Sequence, residues 1–168
     1  MRDIINRNYL EIKSVNALIA SIDPKEKDLT QIIKSDDFQV NKFFYKKIGL
    51  KHKWTDRLTW SDLDWIKYSS SQNIETYILK VKNDLAGYFE LILHLDLQEI
   101  EIAYFGLLEE YRNKKLGGYL LTSAIKKSFG KKNIKRVWVH TCTLDHENAL
   151  KNYLARGMKI FKNETIKI

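Results

Sequence analysis

Between Glu99 and Cys142 the sequence reads strand, turn, amphipathic helix, strand, and that pattern restricts the fold more than any other feature of the chain. Leu116, Leu120, Leu121, Ala124, Ile125 and Phe129 recur at i, i+4, i+5, i+8, i+9 and i+13, one apolar helical face of about 15 residues closed by Gly130. The flanking segments Glu99 to Leu108 and Ile134 to Cys142 read as strands, the second alternating Val137 and Val139 against Trp138 and His140. Such a crossover is right-handed and makes its two strands parallel neighbours, which places the chain in the α/β class.

The other elements fit one sheet. Tyr9 to Lys13 reads as a first strand, and Ile74 to Val81 and Leu85 to His94 as two more, joined by a turn at Asn83-Asp84 as in an antiparallel meander. Asp23-Pro24-Lys25-Glu26 has the form of a helix start, so a helix is expected to about Lys34 with Leu29, Ile32 and Ile33 inward. Val40, Phe43, Phe44, Lys47 and Ile48 keep helical spacing up to a C-cap at Gly49. Ser61 caps a short helix with Asp62 and Asp64 in its first turn, a core Trp65, and an end at Ser69-Ser70-Ser71. A last helix, roughly His146 to Arg156, stops at Gly157, and Met158 to Phe161 begins a final strand. No linker or repeat interrupts the 168 residues, so a single domain is expected.

The excess positive charge sits in one place. Arg112 to Arg136 holds nine basic and no acidic residues, against 20 basic and 21 acidic in the rest, which points to an anionic ligand there or to a solvated lysine-rich helix face. No apolar run approaches the roughly 18 residues of a membrane span. The N-terminal Asp3, Asn6, Arg7 and Glu11 break any secretion-type apolar region, and the single Cys142 fits a reducing, cytoplasmic setting. One Cys and four scattered His give no metal-ligand spacing, so no metal is expected.

The turn Arg112-Asn113-Lys114-Lys115-Leu116-Gly117-Gly118 leads into a helix N-terminus, where free N–H groups and the helix dipole favour a phosphate. This turn resembles the acetyl-CoA loop of the GNAT acetyltransferase superfamily, Q/R-x-x-G-x-G/A, with Lys115 in place of the first Gly. Ala149 to Met158 resembles the family's A-x-x-x-Y-x-x-x-G-F motif, with Tyr153 at its tyrosine, Met158 for Phe, and His146 where an Asn is common three residues before the Ala. Glu101 to Leu107 resembles the strand on which the family's histone-acetyltransferase-type members carry a general base six residues before an apolar residue beside the thioester. The resemblance spans about Ile74 to Phe161. It implies a GNAT fold, a mostly antiparallel sheet with one parallel crossover, in which about 74–161 binds acetyl-CoA and about 1–70 is a variable acceptor-side part.

That resemblance implies roles for named residues. Glu101 becomes the base and Tyr153 the proton donor to the leaving thiolate. Leu107, Leu108, Arg112, Asn113, Lys114, Lys115, Leu116, Gly117, Gly118, His146 and Tyr153 become cofactor contacts. By the period of two, Glu99, Glu101, Ala103, Phe105 and Leu107 are expected on one face, where a carboxylate among apolar neighbours is suited to taking an ammonium proton. The alternatives are a solvated strand-end Glu101 and a merely packed Tyr153. His140 is a second candidate base. It shares a face with Cys142, so an acetyl-cysteine route stands as the competing mechanism, and an inert buried Cys as its alternative. Trp54, Trp60 and Trp65 fall to the core or to a substrate pocket, and Trp54-x-Asp56-Arg57 has no assigned acceptor. The expected function is an N-acetyltransferase moving acetyl from acetyl-CoA to an amine on a small molecule or polypeptide by direct attack. The competitors are a non-catalytic acyl-CoA binder and a basic nucleic-acid-binding module, although no specific nucleic-acid partner is expected; homodimerisation is left open.

Overall fold

A computed structural model describes residues 4–167 of the protein. In chain order the elements are β1 (Ile4–Ile12), β2 (Thr30–Ser35), α1 (Phe38–His52), α2 (Asp62–Ser69), β3 (Ile74–Val81), β4 (Asp84–His94), β5 (Glu99–Leu107), α3 (Leu116–Phe129), β6 (Arg136–Cys142), α4 (Asn148–Ala155) and β7 (Lys159–Lys167). The strands form one mixed sheet in the order β2-β3-β4-β5-β6-β1-β7. From β2 to β5 it is an antiparallel meander. The chain then crosses over α3 to the parallel strand β6, and β1 lies antiparallel between β6 and β7.

The apolar face of α3 explains the main core. Leu120, Leu121, Ala124 and Ile125 are fully buried against Leu91, Ile100, Ile102 and Val137 of the sheet; each such Leu or Ile contributes roughly 1.5–3 kcal/mol by leaving water. On the opposite face Phe44 and Ile48 of α1 pack on Ile78 and Tyr88, with the Phe44 and Tyr88 rings stacked at 4.8 Å. Ser61 caps α2 as expected, the Asp64 carboxylate accepts in return from the Ser61 amide, and Trp65 is buried beneath it. No helix among the described residues is long and apolar enough to cross a membrane.

Three expectations are corrected. Residues 23–34 do not form a helix: a 3-10 turn at Lys27–Leu29 leads into edge strand β2, which pairs from Thr30↔Val81 to Ser35↔Thr76. The Asp23 carboxylate accepts from Lys27 Nζ instead of capping a helix, and the β-branched Thr30, Ile32 and Ile33 take the pairing that β3 offers, so tertiary context overrides the local start signal. Ile32 packs against the core, whereas Leu29 and Ile33 are exposed. Gly49 is not the cap of α1, which runs on to a left-handed Lys53; a Cβ on Gly49 would lie 2.7 Å from that of Trp54, so the glycine lets Trp54 fold back onto the helix.

The third correction concerns β5. Its pairing with β4 steps from Glu90↔Tyr104 to Leu91↔Ile102, leaving Ala103 as the extra residue of a bulge. The bulge breaks the period of two, so Glu99, Glu101, Ala103, Phe105 and Leu107 do not share a face. Ile100, Ile102, Phe105 and Leu107 belong to the α3 side, while Tyr104 belongs to the α1 side, and Glu101, alternating with Ile100 and Ile102, falls on that side too.

Candidate active site

β5 and β6 pair at Glu99↔Arg136, Ile100↔Val137 and Glu101↔Trp138, and among the described residues no further pair joins them. A cavity of about 900 Å3 lies where they part, lined from the β5 side by Glu101, Ala103, Tyr104, Phe105 and Leu107 and from the β6 side by Val139, His140 and Cys142.

One end of the cavity is basic. Arg112, Asn113, Lys115, Leu116, Gly117 and Gly118 line it, and no side chain caps the first turn of α3, which carries no acidic residue. Its leading amides are thereby left for an anion. Lys115, the N-cap, has φ 61 and Asn113 has φ 60, so the lysine adopts the left-handed backbone that a glycine would take there without cost. Asn152 Nδ2 donates to the Gly117 carbonyl at 3.0 Å and ties α4 to this turn. His52, from the end of α1, spans the mouth: its Nδ1–H donates to the Leu144 carbonyl at 3.0 Å, and its Nε2 accepts from Arg112 Nη2 at 3.4 Å.

Two of the expected cofactor contacts lie outside the cavity. Leu108 packs with the Phe44 and Ile48 cluster, and the Lys114 ammonium lies 5.6 Å from the centre of the Tyr111 ring. His146 lines the cavity, where its Nδ1 accepts from the Asn148 amide at 3.1 Å, and burial together with Arg112 lowers its pKa. Asn148 and Asn152 also face the cavity, one helical turn apart on α4. Neither is among the expected contacts; their i, i+4 spacing beside Tyr153 is the sequence signal that marks them.

Tyr153, Glu101, His140 and Cys142 all line this cavity. Tyr153 is buried, lines the cavity and packs on Phe105; burial holds its phenol well above the usual value, so it stays protonated. Glu101 Oε2 lies 3.1 Å from His94 Nε2. Burial, reinforced by Arg7, lowers the pKa of His140, which keeps the ring neutral at neutral pH, and burial raises that of the Cys142 thiol. A protonated thiol is a poor nucleophile.

The remaining wall is aromatic and carries charge of both signs, with Lys53 and Arg57 on either side of Asp56 in the chain. Trp54, Thr55, Asp56 and Arg57 line the cavity beside Tyr104. Of the three tryptophans weighed above, only Trp54 is here; Trp65 is core, and Trp60 packs on Trp65 at 4.9 Å.

A family model described as acetyltransferase (GNAT) family matches residues 34–158, well over half of the chain. The chain belongs to the GNAT acetyltransferase family. Solved GNAT structures share its fold. A GCN5-related N-acetyltransferase from Sphaerobacter thermophilus superposes with TM-score 0.74 at 10% identity, over 98% of this chain and 51% of the other. A GCN5-related N-acetyltransferase from Kribbella flavida gives 0.68 at 12%, over 99% and 59%. An aminoglycoside acetyltransferase from an uncultured soil metagenomic sample gives 0.64 at 12%, over 77% and 88%. The chain thus spans little more than half the length of the first two. No curated protein matches the sequence.

Proposed function

We propose that this chain is an acetyl-CoA-dependent N-acetyltransferase in which Glu101 and Tyr153 handle the protons. The observation that carries the reading is the uncapped N-terminus of α3, behind Arg112 and Lys115, opening into the same cavity as Glu101 and Tyr153. The α3 amides, Arg112 and Lys115 suit the pyrophosphate of the cofactor, and Leu107, Asn148 and Asn152 lie along the path from there to the β5–β6 opening.

Acetyl-CoA supplies an acetyl group activated as a thioester. Glu101 takes a proton from the acceptor ammonium, directly or through water, and frees the nitrogen lone pair for attack on the acetyl carbonyl. The attack forms the C–N bond and the C–S bond breaks; Tyr153, kept protonated by burial, gives its proton to the departing sulfur, and the second proton shed by the new amide nitrogen restores the phenol. The raised thiol of Cys142 favours direct attack over an acetyl-enzyme. A neutral His140 is the second candidate base in the same cavity. The acceptor is an amine on a small molecule or a polypeptide.

Calorimetric titration with acetyl-CoA, alongside duplex DNA, tests the reading. Saturable micromolar binding of acetyl-CoA, with DNA binding only weakly and fading with salt, is expected; the reverse pattern overturns it. Gly117→Asp should fold yet lose acetyl-CoA. A Cβ there meets only Asn152 Nδ2 at 3.6 Å and Leu107 Cδ1 at 3.8 Å, ordinary contacts, so the damage falls on the bound anion.

A further inference from the structure

The loop between α1 and α2 contains an arrangement that proton transfer does not require. Arg57 is 5% exposed, its guanidinium 3.0 Å from the Glu90 carboxylate, and its Cζ 4.1 Å from the ring centre of Tyr68 and 4.2 Å from that of Tyr104. Glu90, fully buried, also accepts from Tyr68 Oη at 2.9 Å and from Asn41 Nδ2 at 2.8 Å. A buried ion pair is a weak source of stability, because desolvation offsets most of its attraction. What this one does achieve is to fix the residue beside it.

That residue is Asp56. The Arg57 amide donates to Tyr45 Oη at 2.9 Å, Tyr45 Oη donates to Asp56 Oδ1 at 2.8 Å, and Tyr104 Oη donates to Asp56 Oδ2 at 2.7 Å. Burial is the main cause that pushes the Tyr45 phenol up to about 12 and holds that of Tyr104 higher still, so both remain neutral donors. One phenol donates to each oxygen, and together they orient the carboxylate. Asp56 is exposed to the cavity, and Trp54, 4.9 Å from Tyr104 ring to ring, stands beside it as an aromatic wall. An oriented carboxylate next to the faces and edges of large rings is a site for an organic ammonium ion, held by charge-assisted hydrogen bonds and by the ring quadrupoles.

The placement also fits. Glu101 and Tyr104 lie on one side of β5, and the rise of a strand containing one bulged residue puts them about 7–10 Å apart. Arg112, Lys115 and the N-terminus of α3 line the same cavity as Glu101 and Asp56, and Arg7, Lys53 and Arg57 line it too. We infer that Asp56, with Trp54 and Tyr104, binds a second cationic group on the acceptor, so that the preferred acceptors are diamines or polyamines rather than amines with a single charge. Arg57 and Glu90 are positioning residues for that subsite. The inference rests on the acetyltransferase reading for what happens at the first nitrogen, but the subsite can be tested without turnover.

The experiment is calorimetric titration of the full chain with 1,5-diaminopentane and with pentylamine, with acetyl-CoA titrated separately into the same preparations. The native protein is expected to bind the diamine about tenfold or more tightly than the monoamine, a preference that shrinks with salt as exposed charge contacts do. Asp56→Asn keeps the side-chain shape and one acceptor for the phenols. It should lower diamine affinity to that of pentylamine, while Asp56→Glu restores part of the preference; circular dichroism checks that both variants fold. Equal affinity for the two amines in the native protein, absence of saturable diamine binding, or an undiminished preference in Asp56→Asn overturns the subsite. Failure to bind acetyl-CoA in a protein that still selects the diamine would instead overturn the acetyltransferase reading and leave the cation site standing.

Discussion

Arg57 and Glu90 form an ion pair at 3.0 Å in which the arginine side chain is 5% exposed and the glutamate side chain fully buried. Burial, the largest single influence, weakens the hold of the guanidinium on its proton, yet the Glu90 carboxylate together with the Tyr68 and Tyr104 hydroxyls outweighs it and raises the Arg57 pKa. Glu90→Gln preserves shape and leaves the guanidinium without its anion. It should cost about 3–5 kcal/mol, the usual penalty for breaking a buried pair from one side, read as a lowered midpoint in urea denaturation. A loss under about 1 kcal/mol would mean that the surrounding rings and hydroxyls hold Arg57 without the carboxylate.

Glu101→Gln removes the proposed base. Turnover at neutral pH should fall by about 10²- to 10⁴-fold with acetyl-CoA affinity kept, and part of the loss should return at high pH, where the acceptor is already a free amine. Tyr153→Phe provides the contrast, since it removes the donor to sulfur: its defect should persist at high pH and shrink with a more acidic leaving thiol. A Glu101→Gln enzyme with native turnover across the pH range would move the base to His140 or to water. A trapped acetyl-enzyme that Cys142→Ala abolishes along with activity would replace direct attack with the acetyl-cysteine route.

Lys115→Gly tests the loop from two sides. A non-glycine residue held in the left-handed region costs on the order of 1–3 kcal/mol, which glycine relieves, but glycine returns about 0.5–1 kcal/mol through its freer unfolded chain. Stability should therefore stay level or rise slightly in thermal melts. Acetyl-CoA affinity should fall at low salt and approach that of the native protein at high salt, because an exposed cation is screened. An equal loss at both salt concentrations would show that the backbone of the loop, not the charge of Lys115, sets affinity.

What the sequence disclosed follows from the range of the forces involved. Elements governed by local periodicity, such as α3 with its apolar stripe, α2 with its Ser61 cap and the β3–β4–β5 meander, were legible to within a residue or two. The segment that became β2 was not, because the Asp23-Pro24 start is a local signal and the pairing with β3 is not. The bulge at Ala103 had no sequence mark, and it alone decides that Glu101 and Leu107 lie on opposite faces of β5. At the candidate site the turn 112–118, Glu101, His140 and Tyr153 were accessible through spacing and resemblance. Asp56 and Trp54 were visible as residue types, but the hydrogen bonds from Tyr45 and Tyr104 that give Asp56 its orientation join side chains distant in sequence.

The seam between β5 and β6 has a mechanical consequence. With three residue pairs as the only rungs described between them, β5 and β6 part beyond Glu101 and leave a gap, with α3 packed across the join and His52 bridging Arg112 and Leu144. A molecule lodged in the gap adds its own cohesion to the join, about 2.7 kcal/mol when present at a hundred times its dissociation constant. The melting temperature of a preparation thus reports on what fills the gap as well as on the chain itself.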